Sequence, residues 1–445
     1  MGFLHKKTFN GGVHPPEQKG ATAKKAIETL PIPPEVVIPL QQHIGAPAKP
    51  LVEPGTAVQV GDLIAEAGGF VSLPVHASIS GTVSAVEERP HPLGGQVLSV
   101  VIQGDGQDQW NPSIGYDANY LDLTVKETVE RIQQAGVAGM GGATFPTHVK
   151  LSPPADKPID TLIINGAECE PYLTSDHRLL LEEPQKILLG IQILAKVLSA
   201  KKVAIGIEDN KADAIKVMRG LISKLKLPFS VHALPVKYPQ GAEKQLIKAV
   251  VNRTVPAGSL PMTVGCVVQN VATAAAIHDA VAFRRPVVQR VVTVSGNAVQ
   301  TAKNCVVRLG TSYRFILQEC GGVNGSLGKV IMGGPMMGFA QSSLDLPVIK
   351  GTSGLLFLDA RQARRNQETV CISCARCIDV CPMRLMPKML GAWVRHKRID
   401  EAIDYHILDC MECGSCAFVC PAHIDLLHLI RYGKSEAIKK RKKAS

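Results

Sequence analysis

Aromatic residues are scarce in this 445-residue sequence, at 4%. That leaves few of the stacking platforms on which single-stranded nucleic acid is held, although the net charge is +11. Long apolar runs are missing too. The best candidate, residues 187–198, is interrupted by Gln192 and Lys196, and a bilayer-spanning helix needs about 20 predominantly apolar residues. Met1 to Asn10 holds no apolar stretch of the signal-peptide kind, and Lys6 stands where N-myristoylation after Gly2 would want Ser or Thr. No lysine occurs between Lys49 and Lys126. Cys169, Cys266, Cys305 and Cys320 are scattered without framework spacing, which argues against a secreted disulfide scaffold and suits a reducing cytoplasm. With 45% hydrophobic and 20% charged residues, the chain reads as globular, with roughly three domains on length alone.

The remaining eight of the 12 cysteines dominate what is present. Cys371, Cys374, Cys377 and Cys381 read C-x-x-C-x-x-C-x-x-x-C before Pro382, and Cys410, Cys413, Cys416 and Cys420 repeat the spacing before Pro421. This is the two-cluster ferredoxin pattern, in which three thiolates of one run and the last of the other hold each [4Fe–4S] cube. It predicts one centre on Cys371, Cys374, Cys377 and Cys420, and a second on Cys410, Cys413, Cys416 and Cys381. Zinc is the rival occupant, but zinc sites usually pair two short C-x-x-C hooks. Such centres pass single electrons.

Along the chain, residues 1–30 read as an arm containing the turn-forming run from Gly11 to Pro16. Residues 31–110 read as short strands, with Val58 to Ala65 and Ala77 to Val83 alternating in and out as half-buried strands do. Gly55 to Asp62 and Ser80 to Val83 resemble a lipoyl-type barrel–sandwich hybrid. A swinging-arm role is excluded by the missing lysine, so the module reads as structural. Residues 111–285 alternate apolar strands with helical segments, as a parallel α/β sheet does: strands at 160–164, 202–207 and 229–234, helices at 183–198, 211–225 and 242–252. Residues 286–360 suit a β-grasp-like module, with strands at 291–296 and 329–334 around a helix near 313–320. Residues 361–430 carry the cysteines. Residues 431–445 form a basic tail, read either as solvated and disordered or as an aid to docking on an anionic membrane.

The glycine-rich run from Gly136 to Gly142, continuing to Lys150, lets backbone approach a phosphate or ring closely. It does not match the G-x-G-x-x-G dinucleotide fingerprint. Asn165-Gly166-Ala167-Glu168-Cys169-Glu170 follows a strand at its carboxyl end, where α/β sheets bind ligands. Tyr238 to Lys244 opens a helix, and Gln269 to Thr273 precedes another apolar segment. In this order the phrases resemble the NADH- and FMN-binding flavoprotein subunit of respiratory complex I. The resemblance implies that Gly139, Gly141, Gly142, Lys150, Asn165, Glu168, Asn270 and Thr273 face FMN, with Asn270 and Thr273 toward its phosphate. Phe145, Glu170 and Glu243 would border NADH. The chain departs from that family at Ala167, where an aspartate stands there, at Cys169 for a serine, and at Ala242 for a glutamate.

Over residues 5–430 the sequence resembles the C subunit of the Rnf (Rsx) electron-transport complex, in a short form. The carrying phrases are Gly11 to Pro16, Gln42 to Pro47, Val75 to Ser78 with Gly81, the flavin phrases and both cysteine runs. The resemblance implies a multidomain α+β and α/β protein: a barrel–sandwich hybrid, a complex I flavoprotein-like α/β domain, a β-grasp (SLBB-like) module and a two-cluster ferredoxin-like helical domain. It implies two [4Fe–4S] clusters, non-covalent FMN and NAD(H) as substrate. The partners would be integral membrane and iron–sulfur Rnf subunits, with ferredoxin engaged indirectly. The implied place is the cytoplasmic side of the bacterial plasma membrane, and the implied role is in ferredoxin:NAD oxidoreduction coupled to Na⁺ or H⁺ movement. Two alternatives stay open on sequence: a soluble corrinoid reductase of the same architecture, and a docking scaffold that has lost its flavin.

Overall fold

The computed structural model describes residues 7–364 and 366–444. The myristoylation reading at Gly2 and Lys6 lies outside the described residues.

The first unit is two small antiparallel sheets closed on one core. One runs in the order Glu35–Pro39, Gln96–Gly104, Gly81–Pro90, Ala57–Val58, and the other Lys49–Pro50, Leu63–Glu66, Val75–His76. Val36, Ile38, Ile64, Ile79, Val100 and Ile102 fill the space between them. Two expected strands differ. The stretch from Val58 to Ala65 is broken, because the Asp62 carboxylate accepts the Gln59 N–H (2.7 Å) and an Asn111 amide proton (2.6 Å) and so folds a turn. From Ala77 to Ser80 the chain is buried throughout and leaves the sheet. Its serines do not face water: Ser78 donates to the Leu309 carbonyl and Ser80 to Asp105. This edge is packed against the β-grasp unit, so polar side chains there are satisfied by protein.

The second unit is a four-stranded parallel sheet in the order Phe229–Leu234, Lys202–Glu208, Thr161–Gly166, Cys266–Asn270. The helix Val125–Gln134 leads into the glycine-rich run. It starts at Thr124, whose hydroxyl accepts the Glu127 N–H while Glu127 accepts the Thr124 N–H, a reciprocal cap of the kind that contributes about 1 kcal/mol. Pro184–Leu198 packs on Val271–Phe283, a helix buried on nearly every side.

The third unit is a six-stranded mixed sheet: Ile27–Thr29, Lys303–Arg308, Gln289–Ser295, Gly354–Asp359, Leu327–Met332, Phe339–Gln341. Its edge strand Ile27–Thr29 comes from the N-terminal arm and pairs in parallel with Lys303–Arg308.

The last unit is helical around Leu390, Val394, Ile407, Leu426 and Ile430. The expectation of a disordered basic tail does not hold. Leu426–Ala444 is one helix. Leu426, Ile430 and Ala437 are buried on its inner side, and Lys434 donates to the Cys410 carbonyl (2.7 Å) and pairs with Glu412. The 4–3–4 spacing of residues 426, 430, 433 and 437 makes an inward stripe, which outweighs the repulsion among the exposed lysines. Among the described residues no helix is long and apolar enough to cross a membrane.

Candidate flavin cleft and iron–sulfur centres

In the parallel sheet, Thr161–Gly166 has Lys202–Glu208 on one side and Cys266–Asn270 on the other. Its connections therefore leave in opposite directions and open a crevice at the strands' carboxyl ends, the usual ligand position in such sheets. A cleft of about 640 Å³ lies there, within the size range of cofactor sites.

Gly139, Gly141, Lys150, Asn165, Glu168 and Asn270 line it, as do Phe145, Glu170 and Glu243. Gly142 and Thr273 are not in its wall. Gly142 sits at the loop tip with open space beside it. Thr273 is fully buried one layer back, and its hydroxyl accepts the Met140 N–H at 2.9 Å, so it braces the loop from behind.

Several lining side chains already have protein partners. Glu168 is buried and accepts the Asp176 and His177 N–H groups at 2.9 and 3.3 Å, which caps the helix Ser175–Glu182 in place of a side chain at Thr174. Asn270 accepts the Ala272 N–H at 2.8 Å and donates to Asp176 at 2.6 Å. Burial and the neighbouring Glu168 push the Asp176 carboxyl above the carboxylate range. Lys150 pairs with Glu243 at 2.7 Å. Asn165 donates to the Gly241 carbonyl at 2.8 Å. Glu170 reaches the β-grasp unit and accepts the N–H groups of Met336 and Met337 at 3.0 and 2.8 Å. Burial pushes its carboxyl up to about 7, against the pull of those two amides.

Sequence reasoning missed the residues that hold the loop from outside the α/β unit. Lys350 is buried and donates to the Gly136 carbonyl at 2.7 Å. Arg290, also buried, donates to the Met140 carbonyl at 3.2 Å and to the Lys350 carbonyl. Burial lowers Lys350 to about 7 and Arg290 to about 10, the latter opposed by Asp176. Both come from the third unit, and no local motif marks them. A flavin nucleotide fits what remains. The loop is free of bulky side chains at Gly139 and Gly141, Lys150 and Phe145 border the space, and the buried Gln269 amide nitrogen in the wall has no partner in the protein.

The cysteines fall into the two expected sets. Cys371, Cys374, Cys377 and Cys420 ring a cavity of about 510 Å³, and Cys381, Cys410, Cys413 and Cys416 ring a much tighter one. Within each set the thiols feel one another: Cys420 and Cys374 help to raise Cys377, and Cys410, Cys413 and Cys381 help to raise Cys416, in both cases after burial. The backbone repeats as the spacing does. Ser373 and Ala375 in one loop, and Glu412 and Gly414 in the other, have left-handed φ of 54°, 61°, 59° and 77°. Such alternation makes concavities of N–H groups that suit anionic centres, and the Leu385 and Glu412 N–H groups already donate to the sulfurs of Cys381 and Cys410 at 3.3 and 3.4 Å. Among the described residues, no group of three or more His, Cys, Asp and Glu is arranged to hold a single metal ion.

The two sets stand differently to the cleft. Met383 and Met411, beside the second set, form part of its wall, and the Tyr238 hydroxyl donates to the Cys413 carbonyl at 2.7 Å. Cys371 and Cys374 of the first set are exposed, flanked by exposed Val370 and Ile372.

Family comparisons follow the same division. Residues 7–107 match the RnfC barrel sandwich hybrid domain, 132–279 the Nuo51 FMN-binding domain, 291–340 the SLBB domain and 370–424 the 4Fe-4S dicluster domain. The C subunit of the proton-translocating ferredoxin:NAD(+) oxidoreductase complex of Clostridium ljungdahlii is 49% identical over 97% of this chain and 94% of its own length. The chain belongs to the RnfC family. The C subunit of the Na(+)-translocating ferredoxin:NAD(+) oxidoreductase complex of Acetobacterium woodii is 44% identical over 98% of this chain and 99% of its own. The C subunit of the ion-translocating oxidoreductase complex of Rhodobacter capsulatus is 39% identical over 97% and 84%. Among solved structures, a chain of the NAD+-reducing [NiFe]-hydrogenase in the H2-reduced state shares the fold, with a TM-score of 0.53 and 17% identity over 72% of this chain. This chain spans 64% of that one. RnfC membership favours the Rnf reading over the corrinoid reductase, and the FMN-binding and dicluster domains make FMN and [4Fe–4S] its cofactor classes.

Proposed function

We propose that this chain exchanges electrons between NAD(H) and the other iron–sulfur subunits of an Rnf complex, so that ferredoxin:NAD oxidoreduction is coupled to Na⁺ or H⁺ translocation. It would act as the peripheral member on the cytoplasmic side of the plasma membrane. When bound, FMN supplies the conversion between a two-electron hydride and single electrons, chemistry that belongs to the cofactor.

The protein's part is position and electrostatics. Gly139, Gly141 and Gly142 would let the loop lie against the flavin, with Lys150, Asn165 and Asn270 as polar partners and Glu168 near the ring. Thr273 would act through Met140. Phe145 would give the nicotinamide nucleotide a stacking face, bordered by Glu170 and Glu243. Glu170, with its raised proton affinity, can take up a proton at neutral pH beside the reacting groups. The second cysteine set would receive electrons first and the exposed first set would pass them to the partner.

The observation that carries this reading is the shared wall between the cleft and the second set: Met383 and Met411 border both. The test is anaerobic purification followed by NADH titration, with flavin and iron–sulfur absorbance followed together. Bleaching of both supports the reading. Full iron and FMN with no NADH-driven bleaching would remove it.

A further inference from the structure

The run from Gly11 to Pro16 has the composition of a turn, and nothing in the flavin or iron–sulfur chemistry uses it. In the fold it is threaded between the units that electrons must cross. The Gly12 N–H donates to the carbonyl of Val380, the residue before Cys381, at 2.8 Å. Val13 and Tyr238 exchange both backbone hydrogen bonds at 2.8 Å. Further along, the Lys19 ammonium donates to the carbonyls of Glu168 and Glu170, each at 2.9 Å, and of Leu173 at 2.5 Å. A short segment is thus tied to the second cysteine set, then to the Tyr238 loop, then to the carboxyl end of the central strand.

The residue types are those the threading demands. Gly11 has φ +76°, and a Cβ there would lie 2.9 Å from the Cys381 carbonyl carbon. Gly12 has φ +84°, and a Cβ would lie 2.6 Å from the Tyr238 carbonyl oxygen. The Lys19 ammonium is enclosed, and burial lowers its proton affinity against the attraction of Glu168. Burying a charge is costly unless it is hydrogen-bonded, and here three carbonyls of the flavin-side loop accept from it.

We propose that residues 11–19 form a clasp that fixes the Cys381 loop against the flavin cleft and so sets the gap that electrons cross, with Gly11 and Lys19 as positioning residues. The inference rests on the proposed function. Each NADH oxidised to NAD⁺ releases one proton and two electrons. The two electrons would cross the gap one at a time: the first would pass through the centre held by Cys381, Cys410, Cys413 and Cys416 to the one held by Cys371, Cys374, Cys377 and Cys420, leaving the nearer centre free to take the second, so that each centre gains one. No bond at the clasp forms or breaks.

The test compares wild type, Gly11→Val, Val13→Pro and Gly20→Ala as anaerobic holoproteins. The readouts are iron and FMN content, amide hydrogen exchange at residues 12, 13 and 238, cluster reduction by dithionite, and the separate rates of flavin and cluster bleaching after one NADH. In Gly11→Val the exchange should rise, while cofactor content, dithionite reduction and flavin bleaching stay at wild-type level. Cluster bleaching should slow severalfold, because the probability that an electron crosses a gap falls steeply as the gap widens. Gly20→Ala, whose Cβ meets nothing within 4 Å, should match wild type throughout. Raised exchange with an unchanged rate of cluster bleaching overturns the proposal, and so does unchanged exchange. Should Gly11→Val fail to accumulate, Val13→Pro, which removes the N–H given to Tyr238, decides on the same readouts, with exchange followed at residues 12 and 238. Should wild type show no NADH-driven flavin bleaching, the functional reading fails, and exchange alone still decides whether the arm holds the Cys381 loop.

Discussion

The Tyr238 hydroxyl and the Cys413 carbonyl oxygen are 2.7 Å apart, a direct hydrogen bond between the flavin-side unit and the second cysteine set. Tyr238 is buried, and burial with the nearby Glu170 raises its hydroxyl well above the usual phenol range. It therefore stays a donor at any working pH. Tyr238→Phe should leave that buried carbonyl unpaired, at a cost of about 1–3 kcal/mol. Iron and FMN content should match wild type, while iron is lost faster in urea. Equal half-times for iron loss would refute this role.

Glu170 gives a pH signature. Its carboxyl is raised from 4.5 to about 7, so between those values the folded chain holds more proton than the unfolded one. Its contribution to stability is full below pH 4.5 and is lost as pH rises through 7. The thermal midpoint of wild type relative to Glu170→Gln should accordingly be higher at pH 5 than at pH 8. A pH-independent difference between the two proteins would contradict this.

Lys150 faces the cleft with Glu243 as its partner. Lys150→Ala removes the cation and leaves the carboxylate, which repels a flavin phosphate. FMN retention should fall, and an unchanged flavin-to-protein ratio after gel filtration would count against the assignment. Glu243→Gln keeps the cation, and should retain FMN while raising the KM for NADH.

The cysteine sets predict two different lesions. Cys371→Ala should lose one centre's iron and largely stop transfer to the partner, while NADH still reduces the centre that remains. Cys410→Ala should lose the other centre's iron and block NADH from reducing the centre that remains. Full wild-type iron in either variant would contradict the ligand sets.

Three strands of the parallel sheet were legible because its strands and helices differ in period and are punctuated by turns; the fourth, Cys266–Asn270, was not placed. The strand Phe229–Leu234 and the helix Pro184–Leu198 lie where the pattern put them, within a residue. The helix Val271–Phe283 was legible only as an apolar stretch: nearly all its sides are buried, so no polar face marked a helical period. The helix through the tail was not legible, for the opposite reason. Its lysines dominate the composition, and the stripe through Leu426, Ile430 and Ala437 acquires meaning only against Leu390 and Val394.

Local spacing by itself determined the chemistry that needs consecutive residues. Each cysteine run sets three thiols around one turn of chain, and the glycine run bares its own backbone, whatever the rest of the fold does. Tertiary structure alone decided which partners come from afar: Arg290 and Lys350 behind the flavin loop, Glu168 spent on a helix cap, and Gly11 against Cys381. Those contacts join residues far apart in sequence. They depend on how the units pack, and packing leaves no period in the chain to read.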